Sequence, residues 1–257
     1  MIARRVATSL LFLFLIVSCV FCEERTRRPT VVVATDPTYP PFEFHDDDGE
    51  LVGFDIDVIR AVSEASDFEL DLVVVSFSYV FDRLLEGEVD AVISGVTITT
   101  RRSEAMSFSR PYHSEPQLLL VPASSPAVRG LSDLSGSTVG VLQGSATSER
   151  LRAESAESGY AVVDFDSALL AMRTMMAGDL DAVVVDATYA DLWSEDPQWG
   201  YVGEFRTVAE PVSREDLGIV VSADRPDLLS LVNEGLASLV ESGRLNEIRS
   251  IWFGDAH

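Results

Sequence analysis

Apolar, β-branched runs alternate with amphipathic stretches along most of the chain. Strands are predicted at Val31–Ala34, Leu70–Val75, Ala91–Ile93, Leu118–Val121, Val139–Leu142, Ala161–Val163, Ala182–Val185 and Gly218–Val221. Between them, apolar residues recur at helical spacing over Ile56–Ala65, Tyr79–Glu86, Ala146–Ala156 and Ser167–Ala177. Nearly continuous apolar strands interleaved with helices predict parallel sheets covered on both faces, an α/β fold. A last long helix begins near Pro226, a residue suited to a first turn, and stops at Gly243. Leu228, Leu229, Val232, Leu236, Leu239 and Val240 form its core-facing stripe.

One pattern recurs. Leu84-Leu85-Glu86-Gly87-Glu88-Val89-Asp90-Ala91-Val92 is echoed by Met175-Met176-Ala177-Gly178-Asp179-Leu180-Asp181-Ala182-Val183. Each reads as a helix end, a glycine placed as a left-handed cap, and a buried strand. Two such units suggest two lobes on one plan, although a helix-to-strand corner of this kind also recurs by chance. The first strand runs on into Ser94-Gly95-Val96-Thr97 and the second into Asp186. Ligands of open α/β sheets sit beyond the carboxyl ends of strands, so both stretches are candidates to face one cleft.

The N-terminus has a different character. Arg4 and Arg5 precede the apolar run Leu10 to Val17, which is too short to span a membrane and has the flanks of a signal peptide. Leu15-Ile16-Val17-Ser18-Cys19 resembles the bacterial lipobox, which implies residues 1–18 as a lipoprotein signal peptide and acylation of Cys19. Ordinary cleavage after Cys22 is the alternative. Residues 19–29 then read as a flexible tether. The expectation is an exported protein, periplasmic or at the cell surface, held to the membrane by lipid.

Composition narrows the classes. Hydrophobic residues make up 47% and charged residues 24% of the 257, which excludes a mainly disordered chain. Two cysteines exclude a disulfide scaffold. There are 42 acidic against 19 basic residues, a formal net charge of −23, so nucleic-acid binding through phosphate neutralisation is excluded. Every basic residue counted is arginine, which excludes lysine catalysis. The acid excess fits either salt adaptation or nucleotide composition.

Three groups at strand ends share a chemical logic. Arg102 lies five residues after Thr97; its planar fork suits a carboxylate, and Thr97 adds a hydroxyl and an N–H. Leu142-Gln143-Gly144-Ser145 runs from a strand into a helix start, where free N–H groups and the helix dipole favour an anion. Asp186 brings negative charge from the other lobe. An anion clamp facing a carboxylate matches a zwitterion, with its carboxylate on Arg102 and its ammonium on Asp186. The alternative is that both are solvated surface charges.

A set of ordered motifs adds to this reading. They are Thr35-Asp36-Pro37-Thr38-Tyr39-Pro40-Pro41-Phe42, Gly53-Phe54-Asp55-Ile56-Asp57, Val89-Asp90-Ala91-Val92-Ile93-Ser94-Gly95, Phe108-Ser109-Arg110-Pro111-Tyr112 and Ile251-Trp252-Phe253-Gly254. Together they make the chain, from Thr30 to Gly254, resemble the family 3 solute-binding proteins, the polar amino-acid receptors of bacterial ABC importers. The resemblance implies a two-lobed, type II periplasmic-binding-protein-like fold that closes on ligand about two crossing segments. Lobe 1 is expected over residues 30–114 and 210–257, and lobe 2 over 115–209, with crossings near His113–Glu115 and Val208–Pro211. It implies that Arg102, Thr97, Ser145 and Ala146 hold the ligand carboxylate, and that Asp186, the Thr97 hydroxyl and the Gly95 carbonyl hold the ammonium. Asp36, Tyr39, Phe77, Ser94 and Leu142 would line the side-chain pocket, with Tyr39 and Phe77 sandwiching the side chain and Asp36 meeting a distal cation. The implied partners are an amino acid and an ABC permease, with no cofactor, and the receptor is expected to act as a monomer.

Other features suggest little chemistry. Asp46-Asp47-Asp48-Gly49-Glu50 lacks calcium-loop spacing and reads as a solvated turn. His45, His113 and His257 are scattered and offer no metal set. Two alternatives to a transport receptor remain. One is a sensor that reports ligand without transport. The other is an enzyme like the cyclohexadienyl (arogenate) dehydratases that resemble this family, which is disfavoured because that relative is associated with lysine and glutamate where this chain has no lysine and Asp186.

Overall fold

The computed structural model describes residues 28–195 and 200–254. The predicted signal peptide, Cys19 and His257 lie outside the described residues. The chain opens with β1 (Thr30–Thr35), then β2 (Thr38–Tyr39), β3 (Glu43–His45), β4 (Leu51–Val52), α1 (Phe54–Ala65) and β5 (Glu69–Val74). There follow α2 (Val80–Leu85), β6 (Ala91–Val92), α3 (Thr100–Ser103), β7 (Met106–Phe108) and the long β8 (His113–Pro122). A second series comprises β9 (Thr138–Leu142), α4 (Ala146–Ser158), β10 (Ala161–Phe165), α5 (Ala168–Ala177), β11 (Ala182–Asp186) and α6 (Ala187–Glu195). The return brings β12 (Phe205–Thr207), β13 (Ser213–Leu217), β14 (Val220–Ser222), α7 (Pro226–Glu241) and α8 (Arg244–Phe253).

Two large sheets result, one ordered β5-β1-β6-β14-β7 and the other β10-β9-β11-β8-β12, with β13 also on β8. Both are mixed, which corrects the expectation of parallel sheets. The strands joined by helical crossovers run parallel, β5-β1-β6 in one sheet and β10-β9-β11 in the other. The strands that enter from the other sheet run the opposite way: β14 is antiparallel to β6, and β8 to β11. No helix precedes these two strands, so nothing forces the parallel sense.

Local chemistry explains the elements that carry the cleft. Ser167 caps α5 by accepting from the Leu170 N–H at 3.2 Å, and Gly178 ends it with φ 85°. Gly87 follows α2 with φ 74°, so both glycines of the sequence echo adopt the left-handed conformation expected of them. The strands that follow, β6 and β11, are buried along their whole length, as their apolar runs require. α1 starts with Asp55 and Asp57 in its first turn, where negative charge suits the helix dipole. It packs Ile59 and Val62 into a core shared with Phe54, Tyr112, Ile219 and Leu236. Met172, Met175, Tyr189 and Trp193 belong to a separate core under the second sheet.

The pattern did not reveal everything. β2, β3 and β4 form a small antiparallel sheet of very short strands, and β13 is polar except for its last residue, Leu217. The strand predicted at Gly218–Val221 is shifted to Val220–Ser222, with the segment before it closely covered: a Cβ on Gly218 would lie 2.9 Å from Ile98. β13 pairs with the start of β8, Leu217 opposite His113 and Glu215 opposite Glu115. The chain therefore crosses between sheets on a two-stranded ribbon, and the partner of His113–Glu115 is Glu215–Leu217, downstream of Val208–Pro211.

Candidate ligand-binding site

All eleven residues expected to hold ligand line one cavity between the two sheets. The reason is topological. Asp36 follows β1, Ser94 and Gly95 follow β6, Leu142 ends β9 and Asp186 ends β11, so four strands of the parallel segments deliver their carboxyl ends to the same cleft. Tyr39 comes from β2 and Phe77 from the loop after β5. Ser145 is the N-cap of α4 and accepts from the Ser148 N–H at 3.0 Å, which leaves the Ala146 end of that helix turned to the cavity.

Arg102 is 7% exposed and sits on the short α3, where Thr99 caps its backbone N–H at 3.1 Å. Its guanidinium donates to the Thr97 carbonyl and to the Gly144 carbonyl, each at 2.9 Å, and lies 4.9 Å from the Phe81 ring centre. Those bonds use two of five donors and fix the plane of the fork. Burial lowers its pKa, an effect that Glu149 and Glu215 oppose. Asp186 is 8% exposed and accepts from Gln117 Nε2. Burial and the nearby Glu215 charge push its carboxyl well above the usual range. A bound cation beside it would reverse that shift.

The opposite end of the cavity is also acidic. The Asp36 carboxylate accepts from the Phe77 backbone N–H at 2.7 Å, and its own N–H donates to Ser94 Oγ at 3.1 Å. Ser94 Oγ in turn donates to Glu43 at 2.8 Å. Glu43 is 1% exposed and its Oε2 is buried without a hydrogen-bond partner, while the Asp55 charge acts on it electrostatically. Burial, then the Asp55 charge, raise Glu43 well above 4.5, and burial raises Asp55 from 3.8 to about 6. Asp55 also accepts from the Gly95 N–H at 2.8 Å and from the Tyr112 hydroxyl at 2.9 Å. The carboxyl pair thus buttresses the Ser94-Gly95 turn from beneath.

Tyr39 and Phe77 both line the cavity, and each is supported from behind. Tyr39 lies 5.4 Å from Phe42 and 4.7 Å from Tyr189, and Phe77 lies 5.7 Å from Phe81. Six polar lining residues were not anticipated: Thr38, Glu43, Gln117, Thr147, Ser167 and Glu215. Glu43 follows the Pro40-Pro41-Phe42 motif and was open to notice. Glu215 lies in a polar stretch that no periodicity singles out. Among the described residues, no group of three or more histidine, cysteine or acidic side chains is arranged to hold a metal ion. No helix among them is long and apolar enough to cross a membrane.

Residues 31–255 match the family model described as bacterial extracellular solute-binding proteins, family 3. The L-cystine-binding protein TcyJ of Escherichia coli K12 is 30% identical over 229 residues, 88% of this chain and 84% of that one. The L-arginine-binding protein of Pseudomonas aeruginosa is 30% identical over 227 residues, 87% of each. Among solved structures, an ancestral arginine-binding protein bound to arginine superposes with a TM-score of 0.82 at 32% identity, covering 88% of this chain and 99% of that one. An ancestral amino acid-binding protein described as a precursor of cyclohexadienyl dehydratase gives 0.76 at 28% identity, covering 87% and 95%. The curated relatives named here are binding proteins, not enzymes, and solved neighbours share the type II two-lobed fold. The chain belongs to the bacterial extracellular solute-binding proteins, family 3.

Proposed function

We propose that the protein captures a polar amino acid with a basic side chain between its lobes and delivers it to the permease of an ABC importer. The observation that carries this is the charge inventory of the cavity: Arg102 is its sole basic lining residue, while Asp36, Glu43, Asp186 and Glu215 are all acidic. A zwitterion satisfies Arg102 and Asp186, and a second cation on the side chain offsets the burial of Asp36. The arginine- and cystine-binding relatives support a polar amino acid. In this reading the ligand carboxylate sits on Arg102 with the Thr97 and Ser145–Ala146 backbone, and the ammonium sits on Asp186, Thr97 and Gly95. The lobes comprise residues 30–114 with 210–257, and 115–209. Cys19 carries the lipid that holds the receptor at the membrane, and an unmodified N-terminus in the intact mass of membrane-extracted protein would remove that anchor.

Calorimetric titration tests the basic-ligand reading. Asp36→Asn is expected to weaken arginine binding by about 1.5–3 kcal/mol, the range for hydrogen bonds to charged groups, and to leave glutamine binding unchanged. Asp36 Oδ2 is already held by the Phe77 N–H, so the competing role is structural support of that loop. Equal losses for arginine and glutamine would assign Asp36 to support and withdraw the basic side chain.

A further inference from the structure

Glu215 stands on β13, half-buried, and reaches into the cavity from the crossing ribbon. Its Oε2 accepts from the Thr97 hydroxyl at 2.5 Å and its Oε1 from the Thr147 hydroxyl at 2.8 Å. Thr97 belongs to the loop after β6 of the first sheet, and Thr147 to the first turn of α4 over the second. Each hydroxyl has a single proton, and an ionised carboxylate can only accept. Once those protons point at Glu215, both threonine oxygens offer only lone pairs to whatever else approaches them. Thr147 also lies 3.3 Å from Gln117 Oε1, the longer and weaker of its two contacts, while Gln117 Nε2 donates to Asp186. Asp186, Thr97 and Thr147 therefore offer a set of acceptors to one cavity that Arg102 also lines.

We infer that Glu215 is a positioning residue that sets the proton direction of Thr97 and Thr147, and thereby makes the site select a ligand ammonium over a neutral hydroxyl at the α position. The inference rests on the amino-acid reading above and adds to it the residue that decides amine against alcohol. An ammonium has three protons to offer these acceptors. An α-hydroxy acid has one proton to give and leaves the remaining acceptors unmet, which is costly in a desolvated site.

In Glu215→Gln the amide Nε2 must donate, so one threonine accepts from it and turns its own proton toward the ligand. The test is a titration cycle with L-arginine and its 2-hydroxy analogue, argininic acid, on wild type, Glu215→Gln, Thr97→Val and the double variant. Glu215→Gln should weaken arginine at least about tenfold and argininic acid less than about threefold, the first figure matching loss of a charged hydrogen bond. On the Thr97→Val background the same change should cost arginine clearly less, because part of its effect runs through Thr97. Equal losses for both ligands, or a full loss added on top of Thr97→Val, would make Glu215 a mere tie between the halves and overturn the inference. Wild type that binds neither arginine nor glutamine would overturn the receptor reading itself. Wild type that binds only glutamine would remove the basic side chain, and the cycle then runs with glutamine and its 2-hydroxy analogue.

Discussion

The Glu43–Asp55 pair shows how much one buried side chain can tie to pH. Both carboxyls are held above their ordinary values by burial, and Asp55 reaches about 6. An unfolded chain releases the Asp55 proton near pH 4, whereas the folded chain keeps it up to about pH 6. This contribution to stability is therefore fully present below about pH 4 and is lost as pH rises through about 6. A shift of that size corresponds to on the order of 3 kcal/mol. Urea titrations at about pH 4 and pH 7.5 should show the fall, and Asp55→Asn should flatten it. An identical pH slope in the variant would place the effect elsewhere. At this scale the sequence named Arg102 and Asp186, because charged residues at strand ends stand out, and Asp36 only through the family resemblance. It missed Glu43 and Glu215, since an acid in an acid-rich chain carries no mark until its neighbours are known.

At the scale of elements, the glycines were legible where they end helices and less so where the backbone is crowded. Gly53 precedes α1 with φ 138°, and a Cβ there would lie 2.1 Å from the Phe42 carbonyl oxygen. That contact locks the start of α1 against β3, and with it Glu43 and Asp55. Gly53→Ala should cost about 3 kcal/mol or more, since strained backbone and a clash with immobile main chain combine. Thermal unfolding measures it, and a loss under about 1 kcal/mol would mean that the loop yields easily. The apolar strands and long helices were legible from periodicity, with ends accurate to a few residues. β2–β4 and β13 were not, because strands of two or three residues have no period and a mostly polar crossing ribbon has no apolar run.

Across the whole molecule, the halves meet directly. The Tyr189 hydroxyl donates to the Thr38 carbonyl at 2.8 Å, Arg102 reaches the Gly144 carbonyl, and Arg101 pairs with Glu149 at 3.2 Å. These ties span the cleft, so they should favour a closed form, and ligand is expected to increase its population. Tyr189→Phe removes one neutral hydrogen bond worth about 0.5–1.5 kcal/mol, which should weaken ligand binding about two- to tenfold and enlarge the radius of gyration without ligand. Scattering with and without arginine reads both states; an unchanged radius in the variant would show that this bond does not hold the lobes together. By itself the sequence determined the α/β class, the repeated helix–glycine–strand plan and Thr97, Arg102, Ser145 and Asp186 at strand ends, because periodicity, capping and charge placement are local properties; the other expected site residues came from the family resemblance. The tertiary structure alone decided the mixed strand directions, the crossing ribbon, the electrostatic coupling of the buried Glu43 and Asp55 carboxyls, and the placement of Glu215 between two threonines. Each of these joins groups far apart in the chain, and only the fold brings them together.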